Sequence, residues 1–387
     1  MTKCTTRRSL VAAAALSLLV PACAVKSHPT ASSRPHASSP SLRGDGAGPP
    51  HKAALELHKA WWWPAPPPGS AGMPAADADG IALTAGHEEL FLLDGAGTVR
   101  WQAERVGLRD VAPALTSDAV LAATDDGVVA YDRATGKRRW EASLGERANT
   151  PLVVGGKAVV TTWEGSLVAL DLRDGSVAWR TKLGGDALGP AASAPAGTTV
   201  LASFDSGAVA GVVAVDAASG RVRWNVAVPA GAVSAPAVVP DANVVVFVAS
   251  DVAAHGLSLD DGSERWRQPT EGAGSPEVPP LPSPDGTVLV GHRLGGMALL
   301  DARTGGVRWY ASSRTVAVRG GPAGPGPNGW FVLPLHDGTV LFAGPDRPVD
   351  QKEPPALATG VATGPGGLLL IGTGQGDENG LLAVSGW

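Results

Sequence analysis

The sequence predicts an all-β fold, an eight-bladed propeller of four-stranded antiparallel blades. Three observations predict it. A strand–turn–strand pattern ending in tryptophan recurs along most of the chain. The copies are spaced by 39, 39, 45, 42 and 43 residues, the period of a propeller blade. Gly and Pro number 51 and 33 in 387 residues, far more than a helical protein tolerates and suited to many short strands joined by tight turns.

The repeat aligns on its tryptophans. "LLDGAGTVRW" ends at Trp101, "AYDRATGKRRW" at Trp140 and "ALDLRDGSVAW" at Trp179. "AVDAASGRVRW" ends at Trp224, "LSLDDGSERW" at Trp266 and "LLDARTGGVRW" at Trp309. The apolar run before each aspartate is a strand. The Asp side chain suits the backbone N–H groups of a tight turn, and the Gly suits its left-handed position. The second strand carries the Trp, so each motif is a hairpin. Two further strands precede each hairpin, as in "APAL" and "AVLAAT" of 112–115 and 119–124. Four short antiparallel strands complete a blade.

A seventh, degenerate hairpin occupies 336–349 and lacks its Trp. An eighth blade has strand patterns at 367–374 and 379–387 but no outer strand after them. The expected donor is 56–63, which would run antiparallel to about 380–385. Trp62 lies in phase there, 39 residues before Trp101. Seven blades is the alternative count.

At the N-terminus, Lys3, Arg7 and Arg8 precede an apolar run from Leu10 to Val20. That run is too short to span a membrane and fits a signal-peptide core. Residues 1–22 are therefore expected to be a signal peptide, for either the general or the twin-arginine route. Val20-Pro21-Ala22-Cys23 resembles a lipobox, with Cys23 the lipidation site. Pro21 departs from the usual pattern, and cleavage within Ala22-Cys23-Ala24 for plain secretion is the competing reading. Residues 23–54 read as the anchor cysteine and a Ser/Pro-rich disordered linker. The propeller is expected over 55–387. Cys4 and Cys23 are the only cysteines, so a mature propeller has neither disulfide nor thiolate metal site. The formal charge of −5 offers no broad basic surface for nucleic acid.

Residues 130–140 resemble the tryptophan-docking pattern A-x-D-x-x-T-G-K-x-x-W of pyrroloquinoline-quinone-like (PQQ-like) propellers at every fixed position. The other copies match less fully. The resemblance implies that Trp62, Trp101, Trp140, Trp179, Trp224, Trp266 and Trp309 each pack against a neighbouring blade, a structural role. One Trp buries on the order of 150–250 Å² and keeps an N–H for a backbone partner. Within that family the chain looks like the non-enzymatic lipoprotein branch, which includes the propeller subunit of the outer-membrane barrel-assembly machinery. The dehydrogenase branch implies a quinone held by a vicinal cysteine pair beside calcium. That pair is missing here, as is C-x-x-C-H for haem. No catalytic residue, metal ligand or cofactor is therefore assigned.

Asp132, Asp171, Asp216, Asp260 and Asp301 each fall in a turn of a different blade and cannot converge on one ion. The loop after each blade's second strand is a better candidate for binding. His87, His255, His292 and His336 are expected there in blades 1, 5, 6 and 7, Asp125 and Asp126 in blade 2, and Trp163 and Glu164 in blade 3. No Ser-His-Asp or H-E-x-x-H spacing accompanies them. The reading is an exported, monomeric scaffold that is anchored to the cell membrane by lipid. It would bind a protein partner or small ligand on one propeller face. A PQQ-dependent oxidoreductase and a secreted sensor propeller without a lipid anchor are the alternatives.

Overall fold

The computed structural model describes residues 57–387 except 68, 87–88, 104–110, 188, 229–230, 271, 274–277, 292–293, 312–325, 327–328, 336–337, 346–347, 353–356 and 375–377. The expected signal peptide, Cys23 and the whole linker of 23–54 lie outside the described residues.

Seven sheets of four antiparallel strands and one of three make eight blades among the described residues. Blade 2 is typical, with strands Ala114–Leu115, Ala119–Ala123, Gly127–Asp132 and Arg138–Ser143. The second and third strands are buried nearly throughout, as in "AVLAA" and "GVVAY". They lie mid-sheet with other blades on both faces, so both of their faces must be apolar. The outer strand alternates instead, and Trp140 is buried between exposed neighbours.

Blade 7 is the three-stranded one, Phe331–Pro334, Val340–Ala343 and Pro348–Lys352. Blade 8 consists of Leu357–Thr363, Leu369–Gly374 and Gly380–Ser385, with His58–Pro64 as its outer strand. His58 pairs with Ser385 and Pro64 with Gly380, antiparallel, as the sequence led us to expect. The inner strand of blade 1, Ala75–Asp77, touches both Leu357–Thr363 of blade 8 and the inner strand of blade 2. First and last blades are thus neighbours, and eight blades is the correct count. The shared sheet covers the edge of Gly380–Ser385 that would otherwise stay unpaired.

The docking tryptophans repeat one geometry. Nε1 of Trp101 donates to the Arg133 carbonyl of the next blade at 2.7 Å. Trp140 reaches Leu172 at 2.9 Å, Trp179 Ala217 at 3.0 Å and Trp224 Leu259 at 3.1 Å. Trp266 reaches Ala302 at 2.9 Å and Trp309 Gly344 at 3.2 Å. The first five acceptors directly follow the last residue of the neighbouring blade's third strand, and Gly344 directly follows Val340–Ala343 of blade 7.

At the seam the side chain that docks is Trp61, not Trp62. Trp61 Nε1 donates to the Gly95 carbonyl at 3.0 Å. The cause is a bulge between Lys59 and Trp61, which shifts the register by one residue and so exchanges the faces of the side chains. The turn of blade 5 also differs from expectation. Ser258 takes the aspartate position, its N–H donating to the Ser263 carbonyl and its own carbonyl accepting from Gly262 N–H. Asp260 instead accepts from Asn243 Nδ2 at 2.7 Å.

Blade 7 offers no docking Trp to blade 8. Trp387 is fully buried in the core between those two blades, beside Val332, Phe342, Leu369 and Ile371. Its Nε1 donates to the Gly367 carbonyl at 2.8 Å.

Candidate protein-binding face

In blades 2 to 5 the second and third strands are joined by the loops 124–126, 162–165, 206–209 and 250–252. The connections between blades lie beside these loops. Isolated bridges join Ala71 to Ala85, Ala148 to Thr162, Asp186 to Asp205 and Val233 to Ala249, each from a connection to the end of a second strand. Both sets of loops therefore form one surface.

Blade 3 builds the most ordered part of it. Trp163 lies between Lys157–Thr161 and Ser166–Asp171 and is 39% exposed. Its backbone N–H donates to Arg147 O at 3.0 Å and its indole Nε1 to Asn149 Oδ1 at 2.9 Å. Asn149 is buried and fixed in turn, its Nδ2 donating to Thr161 Oγ1 at 3.0 Å and Ala187 O at 3.1 Å. The Arg147 guanidinium stands 4.5 Å over the indole ring, a cation–π contact. Its Nε donates to Glu164 Oε1 at 3.2 Å. Beneath this pair Glu146 accepts from Thr162 Oγ1, from Ser166 Oγ at 3.1 Å and from Arg180 at 2.8 Å. Burial works against its charge, but these donors outweigh it and hold the carboxyl below its usual range.

Blades 4 and 5 continue the surface with apolar tips. Val209 is 41% exposed before Ala210–Asp216, and Ser206 Oγ both holds its N–H and donates to its carbonyl. Val252 is 37% exposed before Ala253–Ser258. It has φ +60°, the left-handed region that a β-branched residue rarely adopts. Its N–H donates to Ala249 O at 3.2 Å, and its carbonyl accepts from Thr270 N–H at 2.9 Å.

The histidine expectation needs correction in blade 5. His255 is in the third strand, Ala253–Ser258, and is buried. The loop before it is only Ser250, Asp251 and the left-handed Val252, so the third strand begins at Ala253 and includes His255. The imidazole stacks on Phe247 with centroids 4.9 Å apart. Nε2 lies 3.2 Å from Asp251 and Nδ1 3.4 Å from Glu264. Asp251 also holds Arg267 at 2.8 Å. Asp125 and Asp126 are exposed in the predicted loop of blade 2, where Asp126 Oδ1 accepts from Gly145 N–H at 3.2 Å. His87, His292 and His336 lie outside the described residues. Arg147, Asn149, Val209 and Val252 were not expected at the site. An apolar residue one step before a third strand is the signal that marks Val209 and Val252.

Among the described residues no group of three or more His, Cys, Asp or Glu side chains could hold a metal ion. With no cysteine after Cys23, the donor set does not fit the quinone, cysteine pair and calcium of the dehydrogenase branch.

The family model described as outer membrane protein assembly factor BamB matches residues 86–213 and 207–321. No curated protein matches the sequence. Among solved structures, BamB from Moraxella catarrhalis is similar with a TM-score of 0.65 and 16% identity, covering 85% of this chain and 99% of that one. A europium-containing methanol dehydrogenase has a TM-score of 0.66 and 15% identity, over 83% of this chain and 85% of that one. The quinohemoprotein alcohol dehydrogenase of Comamonas testosteroni has a TM-score of 0.66 and 13% identity, over 85% and 76%. At these identities the structural likeness establishes the fold alone.

Proposed function

The chain belongs to the family of the outer membrane protein assembly factor BamB, and from that premise we propose that it is a protein-binding scaffold of the cell envelope rather than an enzyme. The observation that carries the reading is Trp163. A half-exposed Trp whose indole N–H is spent on a buried Asn, with an Arg across its face, is a rigid anchor. Trp and Arg dominate binding energy at protein interfaces, and a side chain already fixed loses little entropy on docking. Val209 and Val252 extend the apolar contact over the next two blades. The occupant is an extracytoplasmic protein partner. The chain reaches it as an exported monomer, anchored to the cell membrane through lipid on Cys23.

The test is crosslinking and affinity capture from membranes with the wild type and Trp163→Ala. The variant is expected to keep its melting temperature and lose the captured partner. Equal capture by both would place binding elsewhere. The anchor is tested separately by detergent partitioning, in which the wild type is expected in the detergent phase and Cys23→Ala in the aqueous phase. Equal partitioning of the two would favour plain secretion.

A further inference from the structure

Trp62, freed from docking by the bulge, walls a cavity of about 380 Å³ at the seam of blades 8 and 1. Lys59, Pro64, Pro67, Glu378 and Asn379 line it with Trp62. The volume falls within the range of small-ligand sites, roughly 300–1,000 Å³. Ala65 N–H donates to Asn379 O at 2.9 Å and Gly69 N–H to Pro66 O at 3.1 Å along the cavity wall. The benzo edge of Trp62 rests on Gly380, where a Cβ would lie only 2.8 Å from Cζ2.

The charges narrow the ligand. The Lys59 ammonium stands 6.0 Å from the Trp62 ring centroid, and Glu378 lines the same cavity. Among the described residues neither side chain has an ion-pair partner. An anion would meet the carboxylate and a cation the ammonium, so a net charge of either sign is opposed. A neutral ligand with many hydroxyl groups satisfies both, donating to Glu378 and accepting from Lys59. Trp62 asks in addition for a flat apolar C–H face, since the electron-rich face of an indole attracts the positive edges of C–H bonds.

We propose that this cavity binds a neutral pyranose sugar, its C–H face on Trp62 and its hydroxyl groups between Lys59 and Glu378. The site is separate from the blade 3–5 surface, and the inference stands without that reading. Saturation-transfer NMR and calorimetry on the full chain, with cellobiose and with N,N′-diacetylchitobiose, test it. At least one of the two is expected to bind. Trp62→Ala should weaken it tenfold or more, Lys59→Ala and Glu378→Gln several-fold each, and Trp163→Ala not at all. If Trp62→Ala fails to fold, the two exposed positions Lys59 and Glu378 still decide. Absence of binding by both sugars would overturn the proposal. So would affinity unchanged in the Lys59 and Glu378 variants, or displacement of the sugar by the zwitterionic dipeptide Pro-Pro.

Discussion

A Cβ placed on Gly136 would lie 2.7 Å from Cδ2 of Trp101 in the neighbouring blade. Gly136 has φ +69°, as the turn requires, and it is also the floor on which that indole lies. The same pairing recurs between Gly175 and Trp140, Gly220 and Trp179, Gly262 and Trp224, Gly305 and Trp266, and Gly97 and Trp61. The Gly and Trp of the repeat are thus partners across blades, each useless without the other copy.

Trp101→Ala is expected to cost about 3–5 kcal/mol, as for other buried Trp truncations. Gly136→Ala combines left-handed strain with the clash and should cost more than the roughly 1 kcal/mol of the strain alone. In the double variant the clash disappears, so its cost should be less than the sum of the two. Urea unfolding of the four proteins measures the coupling. Strict additivity would mean that the two residues do not touch.

The bulge at Lys59/Trp61 separates two adjacent tryptophans. Trp61→Ala is expected to lower stability as Trp101→Ala does, because it removes the only Trp wedge between blades 8 and 1 that reaches a turn carbonyl among the described residues. Trp62→Ala removes a half-buried wall of an open cavity and should cost much less, about 1 kcal/mol. Comparison of the two urea midpoints decides. The reverse order would restore the unshifted register.

Much of the fold was legible because the period of the repeat constrains it. The tryptophans, the turn glycines and the missing eighth outer strand follow from spacing alone. What spacing cannot show is a local change of register. The bulge at Lys59/Trp61 and the short loop of Ser250, Asp251 and Val252 are both local departures, and they moved Trp62 and His255 from their expected roles. The binding face was legible only at the level of loops. Trp163 stood out by residue type. Its supports, Arg147 and Asn149, come from a blade connection whose proximity is a product of the fold.

Asp216 gives a pH signature. The Arg223 guanidinium at 2.7 Å, with Ser219 donating as well, holds its carboxyl down at about 2. An unfolded Asp titrates near 3.9, so the folded form binds the proton less readily. The stabilisation is complete above the unfolded value and is lost as pH falls toward 2. Asp216→Asn is expected to flatten that part of the profile while leaving the curve above pH 5 parallel to wild type. Urea midpoints measured from pH 6 to 2 test this. An unchanged acid limb would show that Arg223 does not hold the carboxylate in solution.

Val252 ties conformational strain to the binding face. A β-branched residue at φ +60° costs of order 1–3 kcal/mol relative to one free to adopt that region. Its exposure means that little burial offsets this cost. Two hydrogen bonds, from its N–H to Ala249 and to its carbonyl from Thr270, hold the backbone there. Asn fits the same loop better for its own sake, as Asn243 does at φ 51°. Val252→Gly and Val252→Asn are therefore expected to raise stability, by about 1 kcal/mol for Gly, since the relieved strain exceeds the added unfolded-state entropy. Both remove the apolar tip that follows Trp163 and Val209 round the ring. If that tip docks a partner, the stabilised variants capture less of it than wild type. Raised melting temperature with reduced capture is the expected pair of results. Raised stability with capture unchanged would confine the interface to blades 3 and 4, and lowered stability would mean that the left-handed turn at Val252 is not strained.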